Sequence, residues 1–276
     1  MLEIPEAATI AAQIKEGLVN RRIVKAEAAH SPHGFAFYFG NPADYPALLE
    51  GKAVINAYPN GGQIEIEADD ARITFNDGTT PRWYKAGSKI PDKHQFYLEF
   101  DDGGFIICTV QMYGGMMAFP EGVNDNFYYL VGKEKPSPLT AAFDEAYFDG
   151  LCGQVKPSAS VKALLATEQR IPGLGNGCSR DILFTAGINP QTKLASLSDG
   201  QLAKLFASVK GVLRAMAEGG GRDTEKDLYG NPGGYSTILS SKTMGGPCPA
   251  CGATIVRKAY LGGNVYFCPA CQPVVK

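Results

Sequence analysis

"CPACGATIVRKAYLGGNVYFCPAC" (residues 248–271) sets two C-x-x-C pairs on either side of sixteen residues. Two-residue spacing lets both thiolates of one turn reach a single ion, and a second pair closes a tetrahedral zinc site. A site closed by four thiolates leaves no position for substrate, so one structural Zn2+ on Cys248, Cys251, Cys268 and Cys271 is expected. Two disulfides, or four unrelated thiols, are the competing readings. Between the pairs, apolar and polar residues alternate around Gly262-Gly263, so the segment reads as a β-hairpin and residues 245–276 as a zinc β-ribbon.

Upstream of the ribbon lies "VKALLATEQRIPGLGNGCSRDILFTAGINP" (161–190), in which a glycine-rich turn runs straight into a helical pattern. Such a turn offers unpaired N–H groups at a helix N-terminus, a natural seat for phosphate; a purely structural turn explains it as well. Helical spacing also marks 140–152, 159–169 and 198–220, with Ser198 as an N-cap and Gly219–Gly221 as a stop. The Pro- and Lys-bearing stretch 132–140 reads as a linker. Before it the period changes to two: segments 22–29, 62–68, 71–78, 94–103 and 104–115 read as strands of a sandwich or barrel, preceded by one helix at about 5–17. The expectation is an α+β multi-domain chain: a helix and β-sandwich (1–132), a helical domain (138–240) and the ribbon (245–276).

Seven Cys in 276 residues, four of them in the metal pattern, suit a reducing compartment better than a disulfide framework. No apolar run reaches membrane-spanning length and no secretory leader is recognisable, so a cytoplasmic protein without a membrane partner is expected. The net charge of −2 hides an asymmetry. Residues 1–150 carry 12 Lys+Arg against 21 Asp+Glu (12 − 21 = −9), and residues 151–276 carry 14 against 7 (14 − 7 = +7). A basic half suggests that this half meets a polyanion.

Taken together, "LEIPEAATI" (2–10), the "IPGLGN" turn (171–176) within its helices and "CPACQ" (268–272) resemble the formamidopyrimidine-DNA glycosylase / endonuclease VIII family over nearly the whole chain. The resemblance implies a β-sandwich, a helix–two-turn–helix (H2TH) domain and a zinc ribbon, and duplex DNA, including damaged DNA, as partner of a monomer. In that family a flipped lesion base is excised by attack of an N-terminal proline amine on the sugar, with a neighbouring Glu moving protons.

Mapped residue by residue, Glu3 takes the place of the catalytic Glu, but Leu2 takes the place of the proline. Leucine also discourages removal of Met1. Gly62 stands where the resemblance implies a phosphate-gripping lysine, Gln111 and Met112 replace basic strand-opening residues, Tyr113 takes the intercalating aromatic, and Gly263 replaces the ribbon arginine. Lys162 and Asn176 match positions that contact phosphates beside the lesion. Each has a plainer explanation: a solvated helix lysine, an Asn holding its own turn, a Glu3 that caps its helix. His94 reads as structural, and Cys178 as a packed residue or an activated thiol at a helix start.

Enzymatic activity is thus left open. The foremost expectation is a DNA-binding relative of the glycosylase/lyase family with weakened or lost catalysis. Against it stand an active glycosylase or lyase using another amine or Glu3-activated water, and a protein-interaction scaffold.

Overall fold

A computed structural model describes residues 2–274 of the chain. They form two compact units: residues 2–134 with Gly220–Gly234, and Lys135–Gly219 with residues 235–274.

The first unit holds helices α1 (Ile4–Leu18), α2 (Tyr45–Leu49) and α3 (Phe127–Glu134), and nine strands: β1 (Ile23–Ala28), β2 (Ala36–Phe37), β3 (Val54–Asn60), β4 (Gln63–Ala68), β5 (Ala71–Phe75), β6 (Thr79–Tyr84), β7 (Phe96–Phe100), β8 (Phe105–Val110) and β9 (Gly114–Pro120). One sheet runs β1-β7-β8-β6, all antiparallel, and the other β2-β9-β5-β4-β3, antiparallel except for the β2–β9 pair. Apolar residues of both sheets meet in one core; Phe75 of the second sheet and Phe96 of the first pack edge-on with centroids 5.6 Å apart. Helix α1 adds Ala7, Ile10, Ala11, Ile14 and Leu18, at the three- and four-residue spacing of a single apolar stripe.

All five strand segments expected from alternation contain a strand, and the helix at about 5–17 is α1. Segment 104–115 differs: β8 stops at Val110, residues 111–113 turn, and Gly114 begins β9. Residues 220–234, which follow the last helix of the second unit in sequence, join the sandwich unit. Leu228 is fully buried in the α1 core and its carbonyl accepts from Trp83 N at 2.8 Å, while Asp227 accepts from Gln13 at 2.9 Å.

The second unit holds α4 (Glu145–Gly153), α5 (Val161–Ala166), α6 (Asn176–Ala186), α7 (Asp199–Glu218) and the hairpin β10 (Val256–Tyr260) and β11 (Gly263–Phe267). Ser198 caps α7 as expected, accepting from Gln201 N, and Gly219 ends that helix. Gly187 closes α6 in the left-handed conformation, φ 72°. No helix among the described residues is long and apolar enough to cross a membrane.

Candidate nucleic-acid site

In the sandwich unit, Glu3 is the N-cap of α1 and is buried, at 3% exposure. Two carboxylates in a helix's first turn suit the positive end of its dipole, and the Glu6 carboxylate accepts from Glu3 N at 3.2 Å. Burial of both acids needs a countercharge, and Arg222 supplies it. Its Nε and Nη2 donate to the two Glu6 carboxylate oxygens at 2.9 and 2.8 Å, and its Nη1 donates to Glu3 Oε1 at 3.3 Å. Arg222 N adds a bond to Glu6 at 3.1 Å, so backbone and guanidinium grip α1 together. The sequence showed Arg222 only as one residue of a glycine-rich passage. Its partners lie 216 and 219 positions away, beyond any local signal. Leu2 is buried in the α1 core, and Met1 lies outside the described residues.

Asp77, in the β5–β6 turn, is a second unforeseen member. Burial, and then the charge of Glu3, push its carboxyl up to about 6, and Tyr113 OH donates to its Oδ2 at 3.3 Å. Tyr113 itself sits half out in solvent on the β8–β9 turn. Gly78 makes this approach possible: at φ 81°, a Cβ there would lie 1.6 Å from the Tyr113 carbonyl oxygen. Gly62 lies in the two-glycine β3–β4 turn and brings no side chain. Two clefts beside Glu6, one lined by Arg222 and Asp227 and the other by Leu2 and Arg82, are shallow and leave room for no more than about one water, far short of a ligand pocket.

The second unit carries the other expected residues. Cys248, Cys251, Cys268 and Cys271 come together with all four Sγ within 4.8 Å of one another. The Cys248–Cys271 and Cys251–Cys268 sulfurs are 3.8 and 3.5 Å apart, far from a disulfide's ~2.05 Å and near the ~3.8 Å spacing of thiolates around tetrahedral zinc. The donor set therefore fits one structural zinc ion. Buried Gln272 anchors this end: its Oε1 accepts from Cys268 N at 3.0 Å and its Nε2 donates to Ile188 O at 2.9 Å.

Asn176 opens α6 next to its N-cap Gly175, with Gly173 in the left-handed region at φ 77°. The amide of Asn176 lies against the β10–β11 turn, where a Cβ on Gly263 would meet its Nδ2 at 2.9 Å. Lys162 is buried rather than solvated. Its ammonium donates to Tyr260 O at 2.5 Å and Leu261 O at 3.3 Å, beneath the same turn, and burial followed by the nearby Arg180 lowers its pKa. A charged lysine satisfied by two carbonyls shapes the hairpin and gives its turn a positive underside. Cys178 is fully buried.

No family model matches the chain. Curated relatives match it end to end. The formamidopyrimidine-DNA glycosylase of Acidothermus cellulolyticus is 29% identical over 284 residues, 99% of this chain and 98% of that protein. That of Geotalea daltonii is 29% identical over 283 residues, 99% and 100% of the two chains. Among solved structures, Lactococcus lactis Fpg in complex with abasic-site DNA superposes with TM-score 0.82 at 22% identity, covering 98% of this chain and 99% of that one. Thermus thermophilus MutM (Fpg) gives 0.81 at 22% identity, covering 99% of each. With matches spanning both units, and with the thiolate cluster formed, the chain is similar along its whole length to the formamidopyrimidine-DNA glycosylases and shares their fold.

Proposed function

We propose that the chain is a cytoplasmic DNA-binding member of this family that grips duplex DNA, abasic and damaged duplexes included, with base-excision chemistry weakened or lost. The observation that carries this reading is the Arg222 clamp on Glu3. The carboxylate in the catalytic position is buried and tied to a fixed cation, and a proton carrier held in that way is a poor acid or base. Leu2, in the proline's place, offers no secondary amine and commits its side chain to the core. The relatives solved with DNA supply the partner class.

Binding is assigned to the basic second unit. The α6 N-terminus with Asn176 seats a phosphate, and the zinc ribbon, braced by Lys162, lies beside it. Zinc, when bound, fixes the hairpin that Asn176 packs against. The acidic sandwich unit adds little to the grip.

Asp77 favours a second reading, a glycosylase that activates water without lyase chemistry, because a carboxyl with a pKa of about 6 beside Glu3 can exchange protons near neutrality. Titration of the protein onto intact, 8-oxoguanine and abasic duplexes at rising salt separates the readings. The proposal expects affinity on all three to fall steeply with salt and expects neither base release nor strand cleavage. Base release without cleavage establishes the second reading. Absence of salt-sensitive binding overturns both and leaves a scaffold.

A further inference from the structure

Two of the three histidines meet at one end of the first sheet. His30 follows β1 and His94 precedes β7, and the strands' pairing continues past Ala28–Phe96 through Ala29 N to Gln95 O (2.8 Å) and Ser31 N to His94 O (2.9 Å). The two imidazoles stack at 4.1 Å with planes 6° apart. Glu27 joins them, its Oε1 lying 2.6 Å from His30 Nδ1. Residues three apart on a regular strand face opposite sides and cannot touch in this way. Ala29, between them, takes φ 58°, a left-handed conformation that a residue with a Cβ rarely adopts, and so folds His30 back over Glu27.

His94 holds the informative atom. It is buried at 3% exposure, and its Nδ1 lies 2.8 Å from Pro91 O, an acceptor, so Nδ1 carries the proton and Nε2 keeps the lone pair. That Nε2 is buried without a hydrogen-bond partner. A buried acceptor left unsatisfied is costly, and an imidazole whose other nitrogen donates to a backbone carbonyl is oriented as metal-binding histidines are. One ligand atom from each of Glu27, His30 and His94 falls within 4.8 Å of the others.

We propose that Glu27, His30 and His94 form a second metal site, for one first-row divalent cation of the zinc, cobalt or nickel class. Imidazole and carboxylate suit these ions, and three protein ligands leave the fourth position to water, unlike the closed four-thiolate site. Parallel stacked rings cannot both point a lone pair at one ion, so the exposed His30 ring turns out of the stack as the ion enters. Its side chain is 40% exposed, which leaves it room to do so. The site lies wholly in the sandwich unit and stands whether or not the chain keeps catalysis.

The test is metal stoichiometry on the full chain. Protein carrying one zinc is titrated with Co2+ and followed by native mass spectrometry and visible absorption. The expected result is a second ion per chain that adds no thiolate-to-cobalt charge transfer. His30→Ala and Glu27→Gln, both at partly exposed positions, should weaken that ion at least tenfold and leave the first in place. Saturation at one ion per chain overturns the proposal, as does a second ion that His30→Ala leaves unchanged.

Discussion

Arg222 shows how much one side chain can hold together. Its three guanidinium nitrogens hold two buried carboxylates, so truncating the side chain strands both charges. Arg222→Ala should cost about 3–5 kcal/mol in denaturant unfolding. A loss below about 1 kcal/mol would mean that the clamp contributes little. Asp77 gives a pH signature. Its folded pKa of about 6 exceeds the ordinary 3.8, so between those values the native state holds a proton that the unfolded chain has released. Stability therefore falls as pH rises through about 4 to 6 and stays lower above it. Asp77→Asn should raise stability at pH 7 by about 1–2 kcal/mol, discounted for partial exposure, and leave it unchanged near pH 4. An equal effect at both pH values would rule the shifted carboxyl out. Neither residue was legible in the sequence, because Arg222 acts across the whole chain and Asp77 sits in an Asn-Asp-Gly turn that reads as turn chemistry alone.

At the scale of elements, legibility followed polar alternation and proline. β4 and β5 are buried almost throughout, yet were read because Gln63, Glu65 and Glu67, and Arg72 and Thr74, hold alternate places. β9 is also buried from Gly114 to Phe119 but has no polar residue there, so its "GGMMAF" carries no period. β3 and β6 contain Pro59 and Pro81, which argue against a strand interior, yet each is the outermost strand of its sheet, where a missing N–H is harmless. The helices of the second unit were legible through their spacing and, for α7, through the Ser198 cap and the Gly219–Gly221 stop. The β5–β6 and β8–β9 turns meet only because residue 78 is glycine. Gly78→Ala should destabilise the chain by more than about 2 kcal/mol, through a left-handed backbone and a backbone clash together; a cost under 0.5 kcal/mol would show that the turns separate readily. Chelating zinc should abolish hydrogen-exchange protection across 245–272 and leave strands β4, β5 and β8 protected. Equal loss in both units would contradict a metal role confined to the ribbon.

For the whole molecule, sequence carried the family resemblance, the sandwich, the H2TH pattern and the zinc cluster, because each has a local signature in the chain. It carried chemistry less far. Leu2, Gly62 and Gly263 could be read as departures from the family pattern, whereas the fate of Glu3 needed the fold. Gly263→Arg places an arginine on the ribbon turn beside Asn176, where the resemblance implies one. If the second unit grips phosphate, this variant should steepen the dependence of duplex affinity on log salt by about one; an unchanged slope would move the grip elsewhere.

The central claim, a retained hold on DNA without Schiff-base chemistry, is tested most directly by borohydride trapping of the full chain on an abasic-site duplex, read by intact mass. The account predicts no covalent adduct under conditions where the same duplex is bound. A trapped adduct, with the amine located by peptide mapping, would contradict it.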